Sequence, residues 1–470
     1  MKVYSLISHI KGGLLLAAVL VAEIKVMNYL YVDDTREFAR CMMREYYECE
    51  ENIDRLYLGS SHVFCDIDPV ILDGINHENN FNLATSMQQL NTSYFLLKEA
   101  DKKHHISRVY LDLAYICTDK GAGNLHDYQW IPKSWLVMDQ MRPSMNKLTY
   151  MLDLSSPEYY YMTFLPFMRY REKLFDGEYV AGIIKGKQTD EWKNYSYSYT
   201  DPDGVCVRKS GGKGYRIYYG TLEHGSFYAD YEENPIEEEP MTQESKEYLE
   251  KIVMYCKEHD IKLTFISSPV SDFELVHKGG YDEYVRQVSE LAELYQVPHY
   301  DFNLCRREYL DLSQERYWFD MGHMNKYGAE VYSQFLGSFL QTQERGENTY
   351  TDCFYNSFEE KISDLQDEIF GLQFVSSQEY EQYMPNITEE QWEEYVIYGL
   401  HPVTNTSESA IDLKAYVKVD GGTGELKEIP VIRDGNDGYV IFSTHEHGEM
   451  HVEAKLQGTA ETASWEQIKY

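Results

Sequence analysis

Asp54-Arg55-Leu56-Tyr57-Leu58-Gly59-Ser60-Ser61-His62 is the stretch on which the fold turns. Its apolar run reads as a short buried strand, and Gly59-Ser60-Ser61 as the tight turn that the strand enters. Asp68-Pro69 then starts a helix, a capping carboxylate followed by a residue already held at helical φ. Working outward, a second strand is expected at Asn80 to Ala84. An amphipathic helix follows from Met87 to His104, with Leu90, Tyr94, Leu97 and Ala100 near one face, and then a third strand, Arg108 to Tyr115. After an interruption the alternation resumes with a helix at Ser245 to Glu258, a strand at Lys262 to Ser267, a helix near Tyr281 to Tyr295 and a strand at Pro298 to Phe302. Tyr317-Trp318-Phe319-Asp320-Met321-Gly322-His323-Met324-Asn325 leads into a last helix from Lys326 to about Gln341. Strand alternating with helix at this spacing predicts an α/β unit over residues 52–345, a parallel sheet covered by helices in three layers.

The interruption, about 118–241, reads as an aromatic-rich insertion above the sheet. It contains Tyr159-Tyr160-Tyr161, the alternating Tyr195, Tyr197 and Tyr199, and Ser210-Gly211-Gly212-Lys213-Gly214. The glycine cluster lacks the spacing and following helix of a phosphate loop, so it reads as a flexible turn. The 43 tyrosines of the chain suit either packing on a wet surface or stacking against sugar rings. From residue 353 the character changes to acidic helices and then to alternating runs at Ile411 to Val419, Leu426 to Arg433, Gly438 to Thr444 and Glu449 to Leu456. A small β-sandwich-like domain over 353–470 is the expectation.

Composition bounds the chemistry. The 470 residues, 43% hydrophobic and 14% aromatic, are enough for a large core, and 78 Asp+Glu against 43 Lys+Arg give a net charge of -35. Nucleic acid is excluded as an expected partner, because phosphate binding needs a basic footprint that this chain does not concentrate. Eight cysteines without a C-x-x-C pair suggest neither a zinc site nor a redox dithiol, and no metal or cofactor is called for. At the N-terminus, Lys2, His9 and Lys11 precede the apolar run Gly12 to Ala22, which has the form of a signal sequence or, if the helix continues to Val32, a signal anchor within residues 1–33. Export with membrane tethering is therefore expected.

Two segments could carry chemistry. Gly59-Ser60-Ser61 follows directly on a strand, so a hydroxyl would project from the carboxyl edge of a parallel sheet, where α/β folds place their sites. Asp320 and His323, three apart at a helix start, let a carboxylate orient an imidazole and stabilise the imidazolium formed when it takes a serine proton.

A strand-end serine early, a D-x-x-H late and β/α alternation between them resemble the SGNH (GDSL-like) hydrolase superfamily over roughly residues 52–340. L-G-S-S-H, followed by D-P and N-L-A-x-S, is most similar to its membrane-anchored branch, which includes D-alanyl-lipoteichoic acid transfer and polysaccharide acetylation proteins. The resemblance implies a flavodoxin-like sheet, Ser61 as nucleophile with Gly59 before it, His323 as base and Asp320 as its orienting acid, with Ser60 as the alternative hydroxyl. It implies Asn82 and the backbone of Met87 as oxyanion or pocket groups; His62, next to Ser61, reads equally as a residue of the pocket mouth or of the surface. Here the sequence departs from the family, since Ala84 and Met87 stand where glycines are usual and the Gly-x-Asn-Asp block is absent. The implied activity is a serine-dependent esterase or acyltransferase acting on small acyl esters of an envelope polysaccharide outside the cytoplasm, working beside a membrane-bound O-acyltransferase. The alternative is a degenerate SGNH-fold protein that binds glycan or that acyltransferase. Asp66 and Asp68 read as turn and helix-start residues, and His104-His105 as a helix end.

Overall fold

The computed structural model describes residues 2–113, 125–126, 128, 130–222, 241–347, 350–365, 367–376, 396–406, 410–419, 425–434, 437–442, 448–459 and 462–469. Arg55–Leu58 forms β1, buried at all four positions. It is flanked on both sides by parallel strands, β2 (Asn80–Asn82) and β3 (Arg108–Asp112), with Leu56 level with Phe81 and Val109. The insertion carries β4 (Ser198–Thr200), β5 (Cys206–Gly212) and β6 (Tyr215–Tyr218), and the main sheet is completed by β7 (Lys262–Ser267) and β8 (His299–Asp301). Its order, β2-β1-β3-β7-β8, is parallel throughout. Such a sheet needs apolar residues on both faces, which is why its inner strands β1 and β3 carry the unbroken runs Leu56-Tyr57-Leu58 and Val109-Tyr110-Leu111.

Helices flank this sheet. In chain order the first five are α1 (Lys2–Tyr31), α2 (Phe38–Glu48), α3 (Ser61–Asp66), α4 (Pro69–Asn76) and α5 (Leu90–Asp101). The Gln243–Glu258 helix packs against α5, and the Lys326–Glu344 helix packs against α3 and α4. Asp68 caps α4 by accepting the Val70 N–H at 2.9 Å, with Pro69 in the first turn.

Three expected boundaries move, each for a local reason. The second strand stops at Asn82, whose Oδ1 accepts the Ala84 N–H at 3.0 Å and curls the chain away. The next helix begins at Leu90, because Met87 has φ +52°, a left-handed conformation that no α-helix accommodates. It ends at Asp101, beyond which His104 turns inward and accepts the Ile53 N–H at 3.2 Å; burial lowers its pKa, so it is not a cation on a helix end. Tyr115 and Cys117 lie outside the described residues.

The glycine cluster of the insertion is no flexible turn. It forms the tip of the β5–β6 hairpin in an antiparallel three-stranded sheet. Asn82 donates its N–H to Lys213 O at 3.0 Å, and Lys213 reaches Asp73 and Asn79 Oδ1. Gly214 has φ +76°, and a Cβ there would stand 1.8 Å from Asn82 O. Glycine is the residue that permits this approach, and it docks the insertion on β2.

The C-terminal part contains β9 (Ile369–Ser376), β10 (Val396–Thr404), β11 (Ile411–Val419), β12 (Lys427–Ile429), β13 (Val431–Asp434), β14 (Asp437–Phe442), β15 (Gly448–Leu456) and β16 (Thr462–Lys469). They build two antiparallel four-stranded sheets, β13-β14-β10-β9 and β12-β11-β15-β16. Leu372 and Leu400 of one sheet share an apolar cluster with Ile411, Ala415, Met450 and Val452 of the other. The run Leu426 to Arg433, expected as a single strand, divides at Pro430 between the two sheets. Proline has no N–H for a ladder, so it breaks the pairing there.

Within α1, Lys11–Tyr31 is 21 residues long with mean hydropathy 1.7 and none of it buried, long and apolar enough to cross a membrane. Its base is held by the insertion: Tyr31 Oη donates to Leu174 O at 2.9 Å, and Lys187 Nζ donates to Tyr29 O at 2.9 Å and Val32 O at 2.7 Å. The seven described cysteines are free thiols.

Candidate active site

At the carboxyl end of β1 the chain must reverse sharply over its neighbours. Gly59 has φ +155°, and a Cβ there would meet Val63 Cγ2 at 2.6 Å and Asp112 Cβ at 2.8 Å. A glycine is therefore required by close packing as well as by conformation. Ser60 follows in extended backbone, its carbonyl accepting the Val63 and Phe64 amides, so that Ser61 becomes the first residue of α3.

The last βα loop, 262 residues further along the chain, comes to the same edge. Ser61 Oγ and His323 Nε2 are 2.7 Å apart, and His323 Nδ1 lies 2.7 Å from Asp320 Oδ1 and 3.0 Å from Oδ2. Asp320 Oδ1 also accepts the Gly322 and His323 amides at 3.1 and 2.9 Å, which shapes the loop around the carboxylate. Burial opposes ionisation of Asp320, but the His323 hydrogen bond and charge, with the two amides, outweigh it and hold its pKa below the usual carboxylate range. An Nδ1–H directed at Asp320 leaves Nε2 as the acceptor for the serine proton.

His62 lies beside this set, its ring stacked on His323 with centroids 5.0 Å apart and planes at 21°. Burial, with the neighbouring His323 charge adding to it, pushes the His62 pKa down to about 3. It is thus a neutral lid on the face of the base. Ser60 is turned elsewhere: its buried Oγ lies 3.4 Å from His62 Nδ1, while the short contact to His323 belongs to Ser61.

Asn82 takes a different place from the one expected. It is fully buried, and its amide donates to Val63 O at 2.8 Å and Ile67 O at 3.5 Å, bracing α3 from beneath rather than facing the pocket. Met87 stands outside the helix ladder in its left-handed turn, a glycine-like conformation kept by a residue that adopts it at a cost. The Ser61 and His62 amides open α3, where the first N–H groups have no intrahelical acceptor. A cavity of about 380 Å³ lined by Arg108, Tyr110, Lys262 and Glu344 lies at the amino ends of the strands and does not involve the serine.

Sequence reasoning missed Asp66, set aside as a turn residue. It is fully buried at the end of α3 and accepts the Met324 N–H at 3.0 Å, while burial raises its pKa well above the carboxylate range. It also missed Tyr218, whose ring lies 4.5 Å from Phe319 and 6.1 Å from His323 and brings the insertion to the site. Neither had a local sequence signal, since each contact joins segments far apart. Among the described residues no cluster of His, Cys, Asp or Glu could hold a metal ion. No family model matches this chain, and no curated protein matches it, so its interpretation stands on the geometry of the site.

Proposed function

We propose that the protein is a serine esterase or acyltransferase of the SGNH type, tethered by α1 outside the cytoplasm and acting on small acyl esters of an envelope polysaccharide. The observation that carries this reading is the chain of short contacts Ser61–His323–Asp320 at the carboxyl edge of a parallel sheet. In the reaction His323 Nε2 takes the Ser61 proton as Oγ attacks the ester carbonyl. The tetrahedral intermediate expels the alcohol, which receives that proton, and leaves an acyl group on Oγ. Water or a second sugar hydroxyl, deprotonated by His323, then releases the acyl group as acid or as a new ester. The Ser61 and His62 amides are the nearest in sequence to the nucleophile and supply hydrogen bonds to the oxyanion.

The second reading, a degenerate protein that binds glycan or a membrane-bound O-acyltransferase, is favoured by one observation: the Asn82 amide is spent on Val63 and Ile67 carbonyls. Labelling with a fluorophosphonate, together with a panel of small esters, separates the two. Stoichiometric labelling at Ser61 with ester turnover is the expected result. An unlabelled protein that turns over no ester fits the binding protein alone.

A further inference from the structure

The β5–β6 hairpin presents one face to the site. Arg208 stands opposite Tyr218 and Ser210 opposite Arg216, so two guanidinium groups share that face with the ring that touches Phe319. Arg208 Cζ lies 4.7 Å from the Tyr218 ring, 5.0 Å from Phe319 and 5.8 Å from Tyr199. Arg216 Cζ lies 5.0 Å from Tyr218 and 4.9 Å from Phe64 of α3, the helix that carries Ser61, and its Nη2 donates to Tyr218 Oη at 2.7 Å. Arg36 joins from the rim, 5.9 Å from the Tyr199 ring.

These arginines make no ion pair among the described residues, and the Nε atoms of Arg208 and Arg216 are buried without a hydrogen-bond partner. Other half-buried or buried arginines of this acidic chain are answered by carboxylates: Arg55 by Glu78 and Glu344, Arg169 by Asp139, Arg307 by Asp272 and Glu368. Close at hand, Asp320 is engaged with His323, and Glu37, which feels the charge of Arg216 without reaching ion-pair contact with it, caps α2 through the Ala39 N–H. A guanidinium withdrawn from water onto aromatic rings keeps a planar fork of donors that matches a carboxylate or phosphate. In a chain with a net charge of -35, two such forks with no carboxylate in contact among the described residues mark a place where the anion comes from outside.

We propose that Arg208 and Arg216, flanked by Arg36, form an anion subsite beside Ser61 that takes a carboxylate or phosphodiester group of an acidic glycan. This rests on reading Ser61 as the nucleophile. It predicts a preference for acyl esters on charged sugars over the same esters on neutral ones.

The test compares kcat/KM for O-acetylated oligogalacturonate, an O-acetylated phosphodiester-linked oligosaccharide and O-acetylated xylo-oligomers. The wild-type protein should prefer one of the charged substrates, and that substrate identifies the anion. In Arg208→Gln or Arg216→Gln the charged-to-neutral ratio should fall by about tenfold or more, as for loss of a charge-assisted hydrogen bond. Arg208→Lys, which keeps the charge, should retain an intermediate ratio, and it serves where the glutamine variant does not fold. Arg286→Gln, at an exposed position of the Tyr281–Tyr295 helix where the arginine pairs with Glu283, should leave the ratio unchanged. Calorimetry on Ser61→Ala with unacetylated oligogalacturonate and the phosphodiester oligomer reads the subsite without catalysis. Binding that weakens with salt and is lost in Ser61→Ala/Arg208→Gln supports the subsite even if the wild-type protein resists fluorophosphonate, an outcome that would remove the nucleophile reading alone. Equal ratios in wild type and variants, or no binding of either charged oligomer at low salt, would overturn the proposal.

Discussion

Asp66 accepts the backbone N–H of Met324 at 3.0 Å, and so fastens the helix that begins with Ser61 to the residue that follows His323. Ser61 and His323 are thereby held by one buried bond in addition to their own. Asp66→Ala should leave that amide unpaired at a cost of about 1–3 kcal/mol and lower kcat through the loosened loop. Asp66→Asn retains the acceptor and should recover most of the activity, whereas equal loss in both would make the residue a matter of packing. Urea denaturation and ester kinetics on the two variants decide it.

Ser61→Ala should abolish fluorophosphonate labelling and ester turnover with little change in melting temperature, since one half-buried hydroxyl contributes little packing. Ser60→Ala should keep both, because its hydroxyl lies toward His62. A Ser61→Ala/His323→Ala double variant should be scarcely worse than either single one, the behaviour of groups acting as a unit. Labelling of Ser61→Ala at full rate would move the nucleophile elsewhere.

Asp320→Asn should retain more activity than Ser61→Ala, because nucleophile and base remain while the orientation of the ring is lost. The depressed pKa of Asp320 has a stability consequence of definite sign. Its contribution is present above the ordinary value of 3.8 and lost as pH falls through the depressed folded-state value. The stability gap between wild type and Asp320→Asn should therefore close in acid, which denaturation midpoints across that range would reveal.

His62 acts in the same direction but over a higher pH window. Its pKa falls from 6.5 to about 3 on folding, so between those values the unfolded chain binds more protons than the native one. Acid should destabilise the protein progressively below about pH 6.5 through this residue. In His62→Phe, which keeps a ring against His323, the acid limb should be shallower; an unchanged limb would place His62 in water.

Gly214→Ala should push the hairpin off Asn82, since a Cβ has no room 1.8 Å from a carbonyl oxygen. A loss of about 1–3 kcal/mol is expected from overpacking, with weakened turnover on large substrates. Hydrogen exchange confined to residues 206–218 would locate the damage; protection unchanged there would contradict the docking.

What could be read beforehand was what short range determines. The strand at Leu56 to Leu58, the glycine turn, and the Asp320–His323 spacing each declare themselves within a few residues, and they bring Ser61, His323 and Asp320 to one edge. The apolar periodicity places Met87 at the start of a helix, while its left-handed backbone answers to a turn that no propensity announces. The Ser210–Gly214 segment read as loose because glycines carry no packing signal, yet their smallness is what lets the hairpin close on Asn82. Arg208 and Arg216 were invisible as a pair, since only the cross-strand register puts them on one face.

Ser61 and His323 stand 262 positions apart in a chain that is made from one end. Ser61 is synthesised and its strand completed long before His323 exists. A partly made chain therefore carries Ser61 without its imidazole neighbour, and the contact arises only when the helix after Asn325 settles onto α3 and α4. The order of synthesis itself thus delays the joining of these two side chains until the whole α/β unit has assembled.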